Sequence, residues 1–192
     1  MKFVHIADVH FDMPFKTLEG RGLSEKRRLE QREAFKTVIE YIKKNNIPYL
    51  FICGDLYEQE YIKESTIEYI NKLFETILDT KIYIVPGNHD PFLKNSYYSK
   101  YDWTRNVKIF SENIERVEEE NTCIYGYGFT DFYLKNPEYQ KIKIDDKDKI
   151  NILLTHGTLD GSKNDDSILY NPISKTVLKN MGFDYIGLRT YS

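Results

Sequence analysis

Apolar residues along the chain follow two spacings in turn. Residues 2–7, 49–53, 81–85 and 151–155 are short runs rich in β-branched and aromatic side chains, and each reads as a buried strand. Between the first two runs, Ala34, Phe35, Val38, Ile39 and Ile42 recur at three- and four-residue steps. Ile67, Ile70, Phe74, Ile77 and Leu78 do the same between the second and third. The order is β-α-β-α-β. Strands alternating with amphipathic helices pair in parallel through right-handed crossovers, which predicts an α/β fold with a mostly parallel sheet. Ligands of such a sheet bind beyond the carboxyl ends of its strands.

Farther along, the alternation breaks. Residues 107–110 and 122–129 read as strands with little helix between them, which predicts a second, mixed sheet or an antiparallel extension. A helix over 172–181 leads into a last strand over 184–188. The charged cluster 145–149 reads as a solvated turn and the polar stretch 157–167 as a mobile loop.

Composition narrows the class. At roughly 150 residues per domain, 192 residues make one domain, able to bury about 70% of its unfolded surface without a disulfide or structural zinc. Hydrophobic residues at 41% and charged residues at 30% exclude a disordered chain, collagen and a coiled coil. With 27 Lys and Arg against 30 Asp and Glu, the net charge of -3 argues against a protein held to DNA or anionic lipid by bulk charge, and leaves a local basic groove open. No apolar run approaches the ~18 residues of a membrane span. His5 and Asp8 interrupt the start where a signal peptide would be apolar, so the expected location is the cytoplasm. Cys53 and Cys123 lie in strand-like runs without CxxC spacing and read as buried, reduced thiols.

The chemistry-bearing residues follow the strands. Asp8-Val9-His10 comes after the first, Gly54-Asp55 after the second, Gly87-Asn88-His89-Asp90 after the third, and His156-Gly157 after the fourth apolar run. Three of the four histidines fall in these positions. Singly, a strand-end Asp is a cap or an Asx turn, and GD or GN is an ordinary turn signal. Together they place oxygen and imidazole donors, with no thiolate, at one end of the strands, a donor set that suits Mn, Fe or Zn in hydrolytic sites.

The order DxH, GD, GNHD, HG resembles that of the calcineurin-like metallophosphoesterases over essentially the whole chain. The run from His5 through Phe15, with Gly54-Asp55-Leu56-Tyr57, is similar to the SbcD and YhaO group of DNA repair exonucleases. Phosphoprotein phosphatases of the same superfamily carry an Arg shortly after GD; Glu58, Gln59 and Glu60 stand here instead. The resemblance implies two divalent metal ions, Mn first, with Fe or Zn as alternatives. Asp8 and His10 would bind one, Asn88 and His156 the other, and Asp55 would bridge both. His89 would act on the scissile phosphate by protonating the leaving oxygen. Glu58 would orient His89, or be a solvated loop carboxylate; Asp90 would support the loop or the ligands. A bridging carboxylate between cations ~3.5 to 4 Å apart, and a shared water of lowered pKa, are the means of two-metal hydrolysis.

The implied function is metal-dependent phosphodiester hydrolysis, with DNA as substrate and an exonuclease of DNA repair as the specific expectation. Alternatives are a phosphodiesterase for nucleotides or small esters, and an inactive metal-binding or assembly fragment. The resemblance also implies an SbcC-type ATPase partner for the full-length protein. Relatives carry GHxH after the last strand, where Thr190 and Ser192 stand in this chain, so weaker metal binding and reduced turnover are expected. The chain reads as one nuclease domain over 1–192, incomplete and without a capping domain.

Other features read blandly. His5 faces away from Asp8 as a core histidine, and Asp12 reads as a loop brace or substrate contact. Lys26, Arg27, Arg28 and Arg32 interleave with Glu25, Glu30 and Glu33 as a solvated helix face. Tyr97, Tyr98, Tyr101 and Trp103 read as packing against the domain rather than stacking on bases.

Overall fold

Two four-stranded sheets stack face to face between layers of helix in a computed structural model that describes residues 1–15, 23–111, 114–133, 138–159 and 172–189. The first sheet contains β1 (Val4–Ile6), β2 (Tyr49–Cys53), β3 (Lys81–Val85) and β4 (Val107–Ile109), in that order and all parallel. The crossovers are α1 (Leu23–Lys44), α2 (Glu64–Glu75) and the short α3 (Tyr97–Lys100). β5 (Glu115–Glu119) and β6 (Thr122–Tyr127) form a hairpin; β7 (Ile150–His156) pairs parallel to β6 and β10 (Tyr185–Arg189) parallel to β7. This second sheet is mixed, in the order β10-β7-β6-β5. A small pair, β8 (Thr158–Leu159) with β9 (Pro172–Ile173), precedes α4 (Lys175–Asn180).

Strand alternation sorts the core into three layers. Leu50, Ile52, Ile82 and Ile84 face α1 and α2, where Phe35, Ile39, Ile42, Ile67, Ile70 and Phe74 close over them. Their neighbours Phe51, Cys53, Tyr83 and Val85 point the other way, onto Ile124, Ile152 and Leu154 of the second sheet. Leu153, Cys123, Tyr125 and Tyr127 face the far side, against Ile142, Ile173 and Leu178. Because both faces of β2, β3 and β7 are buried, their runs are continuously apolar, as expected of strands covered on both sides.

Several sequence expectations shift. The segment 107–110 does not open the second sheet: Val107–Ile109 extends the first, parallel to β3, because α3 is a crossover too short to show helical periodicity. β5 escapes the sequence reading, since Glu115, Arg116, Glu118 and Glu119 make an edge strand with one apolar residue, Val117. The helix expected from 172 begins at Lys175, capped by the Ser174 hydroxyl, which accepts from the Val177 amide. Leu78 lies past the end of α2 and is exposed, while Ile77 remains buried. Both cysteines are free and buried. Trp103 and Tyr98 pack into the first core layer. Residues 160–167 of the polar stretch, and Thr190 and Ser192, lie outside the described residues. No described helix is long and apolar enough to cross a membrane.

Candidate metal centre

The loops that leave β1 and β2 are zipped together by backbone hydrogen bonds. The amides of Asp8, His10 and Phe11 donate to the carbonyls of Gly54, Asp55 and Leu56 at 3.1, 2.8 and 2.9 Å, and the Glu58 amide returns to the Phe11 carbonyl at 3.0 Å. That path forces left-handed backbone at Asp8 (φ 52°), His10 (φ 52°) and Asp55 (φ 54°). Such conformations cost roughly 1–3 kcal/mol each and persist where the surroundings enforce them, commonly at functional sites. Two glycines admit the crowding: a Cβ on Gly54 would stand 2.3 Å from His156 Nδ1, and one on Gly87 would stand 2.2 Å from Asp55 Oδ1.

The third loop is tied in by Asp90. Its buried carboxylate accepts from the amides of Asp55 (2.9 Å), Gly87 (2.7 Å) and Leu56 (2.6 Å) and from the Tyr98 hydroxyl (2.6 Å). Burial, with Asp55 nearby, raises the Asp90 pKa to about 6 despite those donors. With four donors on two oxygens, Asp90 shapes the loops and has no free edge toward a ligand. Asp12 braces the periphery, accepting from the Lys63 amide at 3.0 Å and the Thr66 hydroxyl at 2.7 Å at the start of α2. Gln31 of α1 donates to the carbonyls of Val9 and His10.

The five residues expected to bind metal come together, and His156 reaches them from the second sheet, so the site lies where the carboxyl ends of both sheets meet. Asp55 is fully buried; its Oδ1 accepts the His89 amide at 2.9 Å, and its Oδ2 lies 3.2 Å from His156 Nε2 and 3.8 Å from His10 Nε2. Asn88 Oδ1 is 3.2 Å from the same His156 nitrogen, and Asp8 Oδ1 is 3.9 Å from His156 Nδ1. His156 Nδ1 is 3.0 Å from the Cys53 carbonyl. A proton on Nδ1 makes that hydrogen bond, and Nε2, which faces Asp55 and Asn88, is the nitrogen that would meet a metal in place of its proton.

Charge is strongly redistributed in this volume. Burial opposes ionisation of Asp55, yet His156 and the His89 amide outweigh it and hold the carboxyl below its usual range. Burial raises Asp8, with His156 and Arg189 pulling against it. Glu58 spans two imidazoles, with Oε1 2.8 Å from His10 Nδ1 and Oε2 2.9 Å from His89 Nδ1. Burial works against its charge, but these hydrogen bonds prevail and lower it to about 2. The Glu58 hydrogen bond in turn raises His89 to about 9.

Two clusters of ligand-type atoms, each within 4.8 Å of one another, emerge among the described residues: His10 with Glu58 and His89, and Asp8 with Asp55 and His156. The first is held by the Glu58 hydrogen bonds and needs no ion. The second contains buried oxygens, Asp8 Oδ1 and Asp55 Oδ2, that receive no hydrogen bond among the described residues. Orphaned carboxylate oxygens beside imidazole and amide donors are costly unless a cation meets them, and their chemistry fits Mn, Fe or Zn.

Beside this cluster a cavity of about 370 Å³ is lined by Glu58, Gln59, Glu60, Asn88, His89, Phe132 and Tyr133. The sequence reading missed Phe132 and Tyr133, which carry no motif, and Arg189, whose Nε lies 2.6 Å from Asp8 Oδ2. Arg189 is the register partner of His156 across β7 and β10, so the pairing of the last strand was the signal for it.

Residues 1–187 match the family model of calcineurin-like phosphoesterases. The chain is 24% identical to the uncharacterized metallophosphoesterase YhaO of Bacillus subtilis, over 98% of this chain and 48% of that protein. It is 29% identical to SbcD of the SbcCD nuclease of Staphylococcus epidermidis, over 87% of this chain and 49% of that protein. The chain therefore spans about half the length of these curated relatives.

Proposed function

Because the chain belongs to the calcineurin-like phosphoesterase family, we propose that it is a metal-dependent phosphodiester hydrolase acting on DNA, as the nuclease name of its Staphylococcus relative suggests. The observation that carries the reading is the pair of orphaned oxygens on Asp8 and Asp55 within a set of imidazole and amide donors. Asp8 and His10 would hold one divalent ion, Asn88 and His156 a second, with Asp55 shared between them. Two such cations, Mn by preference, supply charge neutralisation for the phosphate and activation of water near neutral pH.

The chain's own residues do the rest. The Cys53 carbonyl and Glu58 fix the rings of His156 and His10 through the nitrogens not needed for metal. His89, held at Nδ1 by Glu58 and lining the cavity, would deliver a proton from Nε2 to the leaving oxygen. In the full-length protein, an ATPase partner of SbcC type belongs to the same reading.

One observation favours a second reading, a phosphodiesterase for nucleotides. The cavity at His89 has the volume of a small-molecule site and two aromatic walls. Incubation with Mn and oligonucleotide DNA, beside a chromogenic phosphodiester, decides between them. The DNA reading predicts strand degradation that falls ~10²–10⁴-fold in His89→Ala while bound Mn is retained. Cleavage of the small diester alone selects the second reading, and cleavage of neither defeats both.

A further inference from the structure

We propose that Arg189 is an internal counter-ion of the metal centre: in the metal-free chain its guanidinium holds the charge position on Asp8 that a divalent cation takes, so that loading of this half of the site is a competition between the two. The inference rests on the two-ion reading above.

Three observations carry it. Arg189 is the last residue of β10 and the parallel register partner of His156, which puts both side chains on the same face of the sheet at the site's rim. Its Nε meets Asp8 Oδ2 at 2.6 Å, a contact with an expected metal ligand rather than with a surface carboxylate. The Asp8 side chain is only 13% exposed while that of Arg189 is 56% exposed, so the guanidinium has solvent to retreat into when displaced. The guanidinium contact falls on Asp8: among the described residues, the ion-pair partners of Asp55, the shared ligand, are the imidazoles of His10 and His156.

The asymmetry sets an order. The position formed by Asp55, Asn88 and His156 fills first, and the position on Asp8 and His10 fills second, against Arg189. A half-exposed ion pair must be broken and a like charge moved aside. Together these weaken the second step by about tenfold, equivalent to ~1.4 kcal/mol. A guanidinium that merely pins the end of β10 to the β1 loop would stabilise the fold and leave metal uptake unchanged.

The test is a Mn(II) titration of the 192-residue chain, followed by calorimetry and by the electron paramagnetic resonance of free Mn, for the wild type, Arg189→Gln and Arg189→Lys. Two unequal steps are expected in the wild type. Arg189→Gln should tighten the weaker step about tenfold and leave the tighter one in place, while Arg189→Lys stays close to the wild type. Identical isotherms for wild type and Arg189→Gln, or equal tightening of both steps, would overturn the proposal. Should Arg189→Gln fail to fold by circular dichroism, the Arg189 Nε–H resonance of the wild type decides during a zinc titration. Movement in the second step supports the competition, and a resonance that never moves defeats it. If no variant takes up metal, the two-ion reading falls as well; uptake with unchanged isotherms removes this inference alone.

Discussion

Glu58 performs two tasks with its two oxygens. One fixes His10, an expected ligand, and the other fixes His89, the expected proton donor, so a single side chain couples ion binding to the reacting end of the cavity. Half of this arrangement was expected beforehand: the family resemblance offered Glu58 as a residue that orients His89, beside the alternative of a solvated loop carboxylate that its burial now excludes, but nothing in the sequence linked it to His10. That link depends on the left-handed turn at His10, which no local pattern encodes. Replacing Glu58 by Gln leaves one acceptor where two are needed. Glu58→Gln should therefore weaken Mn binding by about 10–100-fold, the usual effect of losing a ligand's hydrogen-bond partner, and lower kcat with little change in KM. Metal titration and steady-state kinetics on a phosphodiester measure both; a variant with unaltered metal affinity and rate would show that Glu58, buried between the two rings, serves only to hold the loops.

At the scale of elements, the loops are rigid because their backbones are spent on one another and on Asp90. Asp90→Asn turns one acceptor into a donor facing donors, and buried amides left without partners cost ~1–3 kcal/mol each. Urea unfolding should show a loss of at least about 2 kcal/mol, and a loss under about 0.5 kcal/mol would mean that the loops do not depend on it. A second element contact responds to pH. His5 of β1 reaches across the inter-sheet layer to the Tyr185 hydroxyl of β10 at 3.0 Å, and burial lowers its pKa from 6.5. Between that lowered value and 6.5 the unfolded chain binds more protons than the folded one, so this contribution to stability is present above pH 6.5 and is lost as pH falls below it. Unfolding measured at about pH 5.5 and about pH 7.5 should show a smaller pH dependence in His5→Gln than in the wild type. An identical dependence in both chains contradicts the assignment.

For the whole molecule, the strand-end motifs revealed more than the strands themselves. β2 and β3 were readable to the residue because burial on both faces makes their runs continuous. β4 and β5 were misassigned or missed because a four-residue helix has no measurable period and a charged edge strand has no apolar one. The convergence of Asp8, His10, Asp55, Asn88 and His156 was expected from their shared position after strands. That His156 arrives from a second sheet, with Arg189 beside it, required the stacking of the two sheets to be seen. The central claim is that this junction holds two cations on those five side chains. Anomalous diffraction from crystals grown with manganese tests it most directly. The account predicts two Mn peaks ~3.5–4 Å apart, with Asp55 touching both. Peaks elsewhere on the chain, or none at the junction of the sheets, would contradict it.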